Sequence, residues 1–278
     1  MTSVDRRAHN ELYAATAGAG LSAPTPSDYL AAYEARHMTP FHAGGTTKGY
    51  VRGLATRRLL ARLEDRRPGD AATILDAGCG TGELSRYLAC RGHRVVAVDL
   101  SEVGCELGRR RAVRLGLGPR CRFIVADLSC LPLRDESVDF VIGHASLHHF
   151  IKDPGAAAEL RRVMRAGAEG FFADSFGENP LFALLRTRRR MRRLGDVPLT
   201  RSRILRFFRE FRVTLEPTDW FVMLDKLYLR LCRGRAPRLL RRLSRLHFAL
   251  DRRVPAGSRL SLGLAGAVLT TIRKPTAG

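Results

Sequence analysis

The chain has 278 residues, 45% of them hydrophobic, which suits one large domain or two small ones with a substantial core. Its formal net charge is +21, and the half after residue 150 carries +17 of it, almost entirely as arginine. The six cysteines form no CxxC pair or zinc spacing, and we find no signal segment and no apolar run of bilayer length. We therefore expect a cytoplasmic protein with reduced thiols and no metal, rather than a secreted or membrane-spanning one.

The first 70 residues are predicted to form a helical cap or lid. Residues 1–24 are small and polar without periodicity, so no stable element is expected there. Ser27 is the predicted N-cap of a helix from about residue 28 to His37, which the Thr39-Pro40 pair ends. Residues 48–65 are typical of a basic amphipathic helix, because their leucines recur on or near one face.

From residue 71 the sequence alternates between short apolar segments and helical ones. Strands separated by helices of about ten residues predict a parallel sheet with right-handed crossovers. The predicted strands are 73–78, 94–100, 122–126, 138–143 and 170–174, and the predicted helices are 83–90, 102–115 and 154–165.

After residue 176 the order of elements changes. Residues 180–193 and 202–211 are predicted helices, 212–221 a sixth strand and 266–272 a seventh. We therefore predict an α/β fold, a doubly wound and mostly parallel sheet of seven strands. The predicted division is a cap at 1–70, a core at 71–176 and a C-terminal part at 177–278, with a basic helical insert at about 222–258 before the last strand.

A glycine-rich loop follows the first strand of the predicted core. Gly78, Gly80 and Gly82 alternate there, and Asp76 stands two positions before the first of them. Glycine allows positive φ and lets a ligand approach the backbone closely. A strand, such a loop and a helix start together form a site for the charged and ribose parts of a nucleotide-like ligand. The spacing differs from the Gly-x-Gly-x-x-Gly expected for dinucleotides.

Three further segments follow at regular separations. Asp99 ends the second strand about 20 residues after the loop, where its carboxylate can accept both hydroxyls of a ribose. Asp127 and Leu128 follow the third strand. Residues 139–150 combine the fourth strand with a trailing segment that contains three histidines: His144, His148 and His149.

Together these four segments resemble the motifs of class I S-adenosylmethionine (SAM) dependent methyltransferases, which have a Rossmann-like fold. The resemblance implies SAM as the cofactor and methyl transfer to an O, N or C atom. It implies that Asp76 supports the loop or the ammonium group of SAM, that Asp99 holds the ribose and that Asp127 meets the adenine. The cofactor-binding residues it implies are Asp76, Gly78, Cys79, Gly80, Gly82, Asp99, Leu100, Asp127, Leu128 and His144.

The acceptor is less well defined by the sequence. Residues 177–181 and 198–200 resemble a bacterial subgroup of small-molecule methyltransferases, which, with the arginine-rich composition, predicts a role in specialised metabolism. Residues 166–168 read Ala-Gly-Ala where the family usually shows a Lys-Pro-Gly-Gly turn before the fifth strand. That difference changes a loop and affects no cofactor contact.

A general base is needed only if the acceptor must lose a proton. His148 and His149 are the candidates nearest to the expected site, since histidine titrates near neutral pH. The Leu-His-His segment is common in the family and can also be structural. His144 and the residues His37, His42, Tyr29 and Tyr33 of the predicted lid are weaker candidates.

Three alternatives stay open. The basic C-terminal half suggests an RNA methyltransferase, but residues 143–146 lack the tetrad of base-amine methyltransferases and few aromatics alternate with the arginines, which disfavours nucleic acid. Leu239, Leu243, Leu246 and Leu250 define a basic amphipathic helix that could rest on an anionic membrane and favour a lipid-like acceptor. A SAM-binding protein without methyltransferase activity is the third. The sequence leaves the oligomeric state open.

Overall fold

A computed structural model shows how the predicted elements assemble into one sheet. Most of the predicted insert and the predicted helix at 180–193 lie outside the part of the chain that it describes. The described residues are 10–11, 13–14, 25–38, 48–66, 69–179, 197–218, 220, 246, 250 and 265–276.

The described elements alternate between helices and strands in the predicted order. In chain order they are α1 (Pro26–His37), α2 (Lys48–Glu64), β1 (Thr73–Ala77), α3 (Glu83–Cys90), β2 (Arg94–Asp99), α4 (Glu102–Arg114), β3 (Cys121–Val125), β4 (Val138–His144), α5 (Leu147–Phe150), α6 (Pro154–Val163), β5 (Met164–Ser175), α7 (Arg201–Phe207), β6 (Arg212–Thr218) and β7 (Ala267–Arg273). None of the helices so described is long and apolar enough to cross a membrane.

The strands form one seven-stranded sheet in the order β3-β2-β1-β4-β5-β7-β6. The first five strands of that order are parallel to one another, and β7 runs antiparallel to both β5 and β6. The predicted α/β fold with a mostly parallel sheet of seven strands is confirmed. Because the parallel strands point the same way, the loops that follow β1, β2, β3, β4 and β5 meet at one edge, where ligands bind in such sheets.

Two hydrophobic clusters cover the two faces of the sheet. On one face Tyr33 of α1 and Leu59 of α2 share a cluster with Tyr87 of α3. On the other face Leu160 of α6 packs with Phe208, next to α7. Helices α1 and α2 therefore share a core with the sheet. The division of the chain at residues 70 and 176 stays a prediction.

Polar side chains fix where several helices begin. At the start of α4 the Ser101 hydroxyl accepts a hydrogen bond from the Gly104 N–H at 3.0 Å. At the start of α6 the Asp153 carboxylate accepts one from the Gly155 N–H, also at 3.0 Å. The predicted cap of α1 was wrong. Thr25, not Ser27, accepts from a backbone N–H of the first turn, because Pro26 already occupies the first helical position.

Other predictions for the elements also differ from the structure. Asn10, Glu11, Tyr13 and Ala14 are helical, although no element was expected there. Helix α7 ends at Phe207 and β6 at Thr218, both earlier than predicted.

The largest shift concerns β5, which begins at Met164 rather than at Gly170, so that α6 ends at Val163. Val138 pairs with Met164 but Phe140 pairs with Glu169, so residues 165–168 bulge out of the register and break the alternation that would have revealed the strand.

Candidate active site

The glycine loop joins β1 to α3 through a backbone that only glycine tolerates well. Gly78, Gly80 and Gly82 have φ values of +78°, +56° and +66°. A Cβ atom on Gly78 would lie 2.6 Å from the Cβ of Ser146, and one on Gly82 would lie 2.3 Å from the ring of Phe123. The loop is therefore a closely packed backbone cradle at the carboxyl edge of the sheet.

Asp99 connects this cradle to the end of β2. Its carboxylate is 8% exposed, and it accepts hydrogen bonds from the Gly80 N–H and the Ser101 N–H, both at 2.8 Å. Each carboxylate oxygen has a second lone pair, so the group can still accept the hydroxyls of a ribose. The half-buried Leu100 lies between Asp99 and Ser101 in the chain.

Asp127 lies at the end of the neighbouring strand β3 and is half-buried. Burial alone would raise its pKa, but hydrogen bonds from the Ser129 N–H at 3.0 Å and the Ser129 hydroxyl at 2.9 Å help to hold the pKa below its ordinary value. The side chain is therefore an anionic acceptor beside the buried Leu128.

Asp76 lies beneath the loop, where it accepts a hydrogen bond from the Ser85 hydroxyl at 2.5 Å. Burial raises its pKa to about 7, and the nearby charge of Asp99 adds to this, while the bond from Ser85 opposes it. Burial also raises the pKa of the Cys79 thiol well above its ordinary value, so Cys79 is a neutral packing group rather than a nucleophile.

An N-terminal segment that sequence analysis did not assign covers the loop. The hydroxyl of Tyr13 would lie 2.7 Å from a Cβ on Gly80, and the Tyr13 ring also approaches Gly104. The side-chain oxygen of Asn10 accepts a hydrogen bond from the Ser101 hydroxyl at 2.6 Å. No pattern could have identified these residues, because the segment has neither a motif nor a hydrophobic period.

His144, the last residue of β4, is tied to the helices that precede the core. Its Nε2 lies 3.1 Å from the hydroxyl of Thr56 in α2, and that hydroxyl lies 3.4 Å from the hydroxyl of Tyr33 in α1. Thr56 and Tyr33 are both buried. His144 thus forms part of the wall between the glycine loop and α2.

The other predicted lid residues lie mainly at contacts between α1 and α3. The Tyr29 hydroxyl donates to the backbone oxygen of Glu83 at 2.7 Å, and His37 Nε2 lies 3.4 Å from the Glu83 carboxylate. Both side chains are buried. This position makes them structural residues of the cap rather than bases, and His42 lies outside the described residues.

A sharp bend after β4 directs the histidine segment toward β5. Ala145 has a φ of +52°, which is strained for any residue other than glycine, and its N–H donates to the Ala173 oxygen at 2.8 Å. The bend starts the short helix α5, on which His148 and His149 lie with their ring centroids 4.0 Å apart.

His148 forms a pair with Asp174, a residue that sequence analysis placed at the end of a strand without giving it a role. The two side chains meet at 2.6 Å between His148 Nδ1 and Asp174 Oδ1. The Asp174 side chain is 1% exposed and the His148 side chain 16%. A buried carboxylate that holds Nδ1–H leaves Nε2 as the acceptor of the ring, which is the arrangement of an oriented general base.

The comparisons with known proteins agree with this geometry. A family model described as "Methyltransferase domain" matches residues 75–172. The chain is 36% identical over 111 residues to the malonyl-[acyl-carrier protein] O-methyltransferase of Erwinia pyrifoliae, which covers 40% of each protein. Residues 75–172 form a class I methyltransferase domain. The predicted family is confirmed, and the chain matches less than half the length of that relative.

Proteins of similar fold whose structures are solved catalyse different reactions. A geranyl diphosphate methyltransferase in complex with GPP and sinefungin gives a TM-score of 0.57 at 20% identity, covering 80% of this chain and 78% of that one. The [4+2]-cyclase SpnF gives 0.53 at 19% identity, covering 81% and 83%. Because the methyltransferase fold also occurs in a cyclase, the reaction has to be argued from the site itself.

Proposed function

We propose that this protein transfers a methyl group from SAM to a small-molecule acceptor that loses a proton. The observation that carries the proposal is the junction of Asp99 with the glycine loop, where the Gly80 N–H donates to the carboxylate at 2.8 Å. This junction supports the proposal that ribose hydroxyls bind to Asp99 directly beside the backbone cradle.

The residues of the carboxyl edge fit SAM in three respects. Glycine at positions 78, 80 and 82 allows the positive φ values of the loop and places no side chain of these residues between the backbone and a ligand. Asp99 keeps lone pairs for a ribose, and the low pKa of Asp127 makes it an anionic acceptor for the adenine amine. When bound, SAM supplies an electrophilic methyl group on a sulfonium centre.

The chain's own contribution would be orientation and proton removal. His148 Nε2 would take the proton of the acceptor, and the Asp174 carboxylate would stabilise the charged ring that results. Alignment of donor and acceptor can supply much of the rate enhancement in such a displacement. His144, held by Thr56, would support the wall beside the methionine part of SAM.

The class of acceptor, the location in the cell and the metabolic role are also proposed. A small-molecule acceptor is supported by the relative named a malonyl-[acyl-carrier protein] O-methyltransferase and by the similar fold of a geranyl diphosphate methyltransferase. A cytoplasmic location and a role in bacterial specialised metabolism follow from the sequence argument alone. Peripheral membrane contact through Leu239, Leu243, Leu246 and Leu250 is proposed on the same sequence argument, and Leu246 is 54% exposed.

A second candidate function is catalysis without methyl transfer. It is favoured by the likeness to the [4+2]-cyclase SpnF, which covers 81% of this chain. Formation of S-adenosylhomocysteine with any acceptor would support methyl transfer. Tight SAM binding without turnover across a broad acceptor panel would support the second candidate.

Calorimetric titration of SAM into purified protein tests the cofactor site. Asp99→Asn should weaken binding at least tenfold, because an amide cannot replace a carboxylate as a bidentate acceptor for the ribose hydroxyls. Asp65→Asn is the matched control, since Asp65 is exposed and lies outside the site. Equal SAM affinities of the two variants would contradict the assignment.

A further inference from the structure

A pocket lies at the edge of the sheet opposite to the glycine loop. It forms where the end of α2 passes over the first residues of β4 and β5 and the last residue of β7. Its volume of about 430 Å³ lies within the usual range of small-molecule sites. Four arginines and two acids line it: Arg62, Arg66, Arg165, Arg273, Asp139 and Glu169. We call it the arginine pocket.

The two acids of the arginine pocket already have partners. Glu169 accepts from Arg62 Nε at 2.7 Å. One oxygen of Asp139 accepts from the Thr73 N–H at 2.7 Å, and the other is paired with Arg165. Both acidic side chains are only 14% exposed, whereas those of Arg62 and Arg165 are 53% and 48% exposed. The carboxylates therefore lie deep, and guanidinium groups dominate the accessible surface.

The guanidinium groups of the arginine pocket outnumber its carboxylates, so the pocket carries an excess of positive charge. Arg66 donates from Nη2 to Asp70 at 3.1 Å, and its Nη1 lies 3.8 Å from Asp139. The side chain of Arg273 is exposed and makes no hydrogen bond or ion pair with another described residue. Its donors are therefore open to an anionic ligand.

One wall of the arginine pocket is formed by the bulge at the start of β5. Residues 165–168 bulge out of the register between β4 and β5, and Gly167 has a φ of +76°. The bulge carries the Ala-Gly-Ala segment that replaces the usual turn before β5. Its small side chains leave room beside the arginines.

We propose that the arginine pocket binds a small ligand that carries oxyanion groups, either a phosphate ester or a polycarboxylate. Guanidinium groups match the geometry of both oxyanions through paired N–H donors. The pocket lies at the opposite edge of the sheet from Asp99, so the proposal stands independently of methyl transfer.

Titration calorimetry with pyrophosphate and with citrate, at fixed ionic strength, tests the proposal. At least one anion should bind the wild-type protein, and Arg273→Gln should weaken that binding about tenfold. Arg122→Gln is the matched control, because Arg122 is exposed on the far edge strand β3 and its loss changes the net charge equally. Binding of pyrophosphate alone assigns the site to phosphate, and binding of citrate alone assigns it to carboxylates.

A second variant makes the outcome independent of Arg273. Ala166→Glu adds a carboxylate to the exposed wall and should weaken anion binding by a similar factor. Each titration is repeated with S-adenosylhomocysteine, so that an anion held at the glycine loop is recognised by its displacement. The proposal is overturned if neither anion binds the wild-type protein, if the anion is displaced by S-adenosylhomocysteine, or if Arg122→Gln weakens binding as much as Arg273→Gln.

Discussion

The proposed cofactor side and the proposed acceptor side of the carboxyl edge are built in different ways. On the cofactor side, Asp99 and Gly80 are 19 residues apart in the chain, Asp76 and Ser85 are 9 apart, and Asp127 and Ser129 are 2 apart. On the proposed acceptor side, His148 and Asp174 are 26 residues apart, and Ala145 and Ala173, which hold the bend, are 28 apart. The residues of the cofactor side can therefore be recognised from local motifs, whereas the acceptor side forms only when distant elements pack.

The largest effect is expected in the cofactor cradle, from Gly82→Ala. The new Cβ would lie 2.3 Å from the Phe123 ring, and the backbone has a φ of +66°. The left-handed conformation costs about 1–2 kcal/mol and overpacking about 1–3 kcal/mol, so both stability and SAM binding should fall sharply. Denaturant unfolding and SAM titration measure the two effects.

The control for this variant is Gly118→Ala, since a Cβ there meets no atom within 4 Å. It should leave stability and SAM binding close to those of the wild type. Equal behaviour of the two alanine variants would show that the packing of the cradle does not matter.

On the acceptor side, His148→Ala should lower kcat by about a hundredfold or more without changing SAM affinity, because it removes the base and leaves the cradle intact. The loss should shrink at high pH if the acceptor then ionises by itself. Asp174→Asn should give a smaller loss in kcat, because it keeps the base and removes only the carboxylate that orients the ring and stabilises its charge. Steady-state rates of S-adenosylhomocysteine formation measure both.

His149→Ala separates the two histidines that the sequence could not distinguish. His149 contacts the His148 ring, whereas the carboxylate of Asp174 holds His148 itself, so the loss of His149 should reduce kcat much less than the loss of His148. The reverse order of effects would transfer the role of base to His149.

The pKa of Asp76 provides a prediction about pH on the cofactor side. Its folded pKa of about 7 lies above the ordinary value of 3.8, so the unfolded chain releases this proton first as the pH rises. Wild-type stability should therefore lose this contribution between about pH 4 and pH 7. Asp76→Asn should unfold at a higher temperature than the wild type at pH 8, with a smaller advantage at pH 5. A constant difference across that range would contradict the shifted pKa.

The smallest effect is expected at the bend between the two sides. Ala145→Gly should stabilise the protein by about 1 kcal/mol, because glycine relieves the strain of φ at +52°. Ala156→Gly, in the first turn of α6, should instead destabilise the protein by about 1 kcal/mol. Thermal unfolding compares the two variants, and destabilisation by Ala145→Gly would show that the bend is not strained.

The same contrast explains how much could be predicted from the sequence. The α/β sheet and the placement of Asp99 and Asp127 at strand ends follow from hydrophobic periods and short motifs, which act over a few residues. Asp174 ended a predicted strand, but its pairing with His148 depends on the bend at Ala145 and on the register between β4 and β5.

Other features had no local signal at all. Tyr13 lies in an aperiodic segment, and its contact with Gly80 is purely tertiary. The arginines of the arginine pocket come from α2, β5 and β7, so none of these segments reveals the pocket alone. The true start of β5 was missed because the bulge at 165–168 interrupts the alternating pattern of the strand.

The central claim is that the cofactor and acceptor sides meet at one edge of the sheet. A crystal structure with bound S-adenosylhomocysteine tests this claim most directly. We expect ribose hydroxyls on the Asp99 carboxylate, the adenine amine at Asp127, and the sulfur facing a space that His148 Nε2 borders. A ligand bound elsewhere, or a ribose that does not contact Asp99, would contradict it.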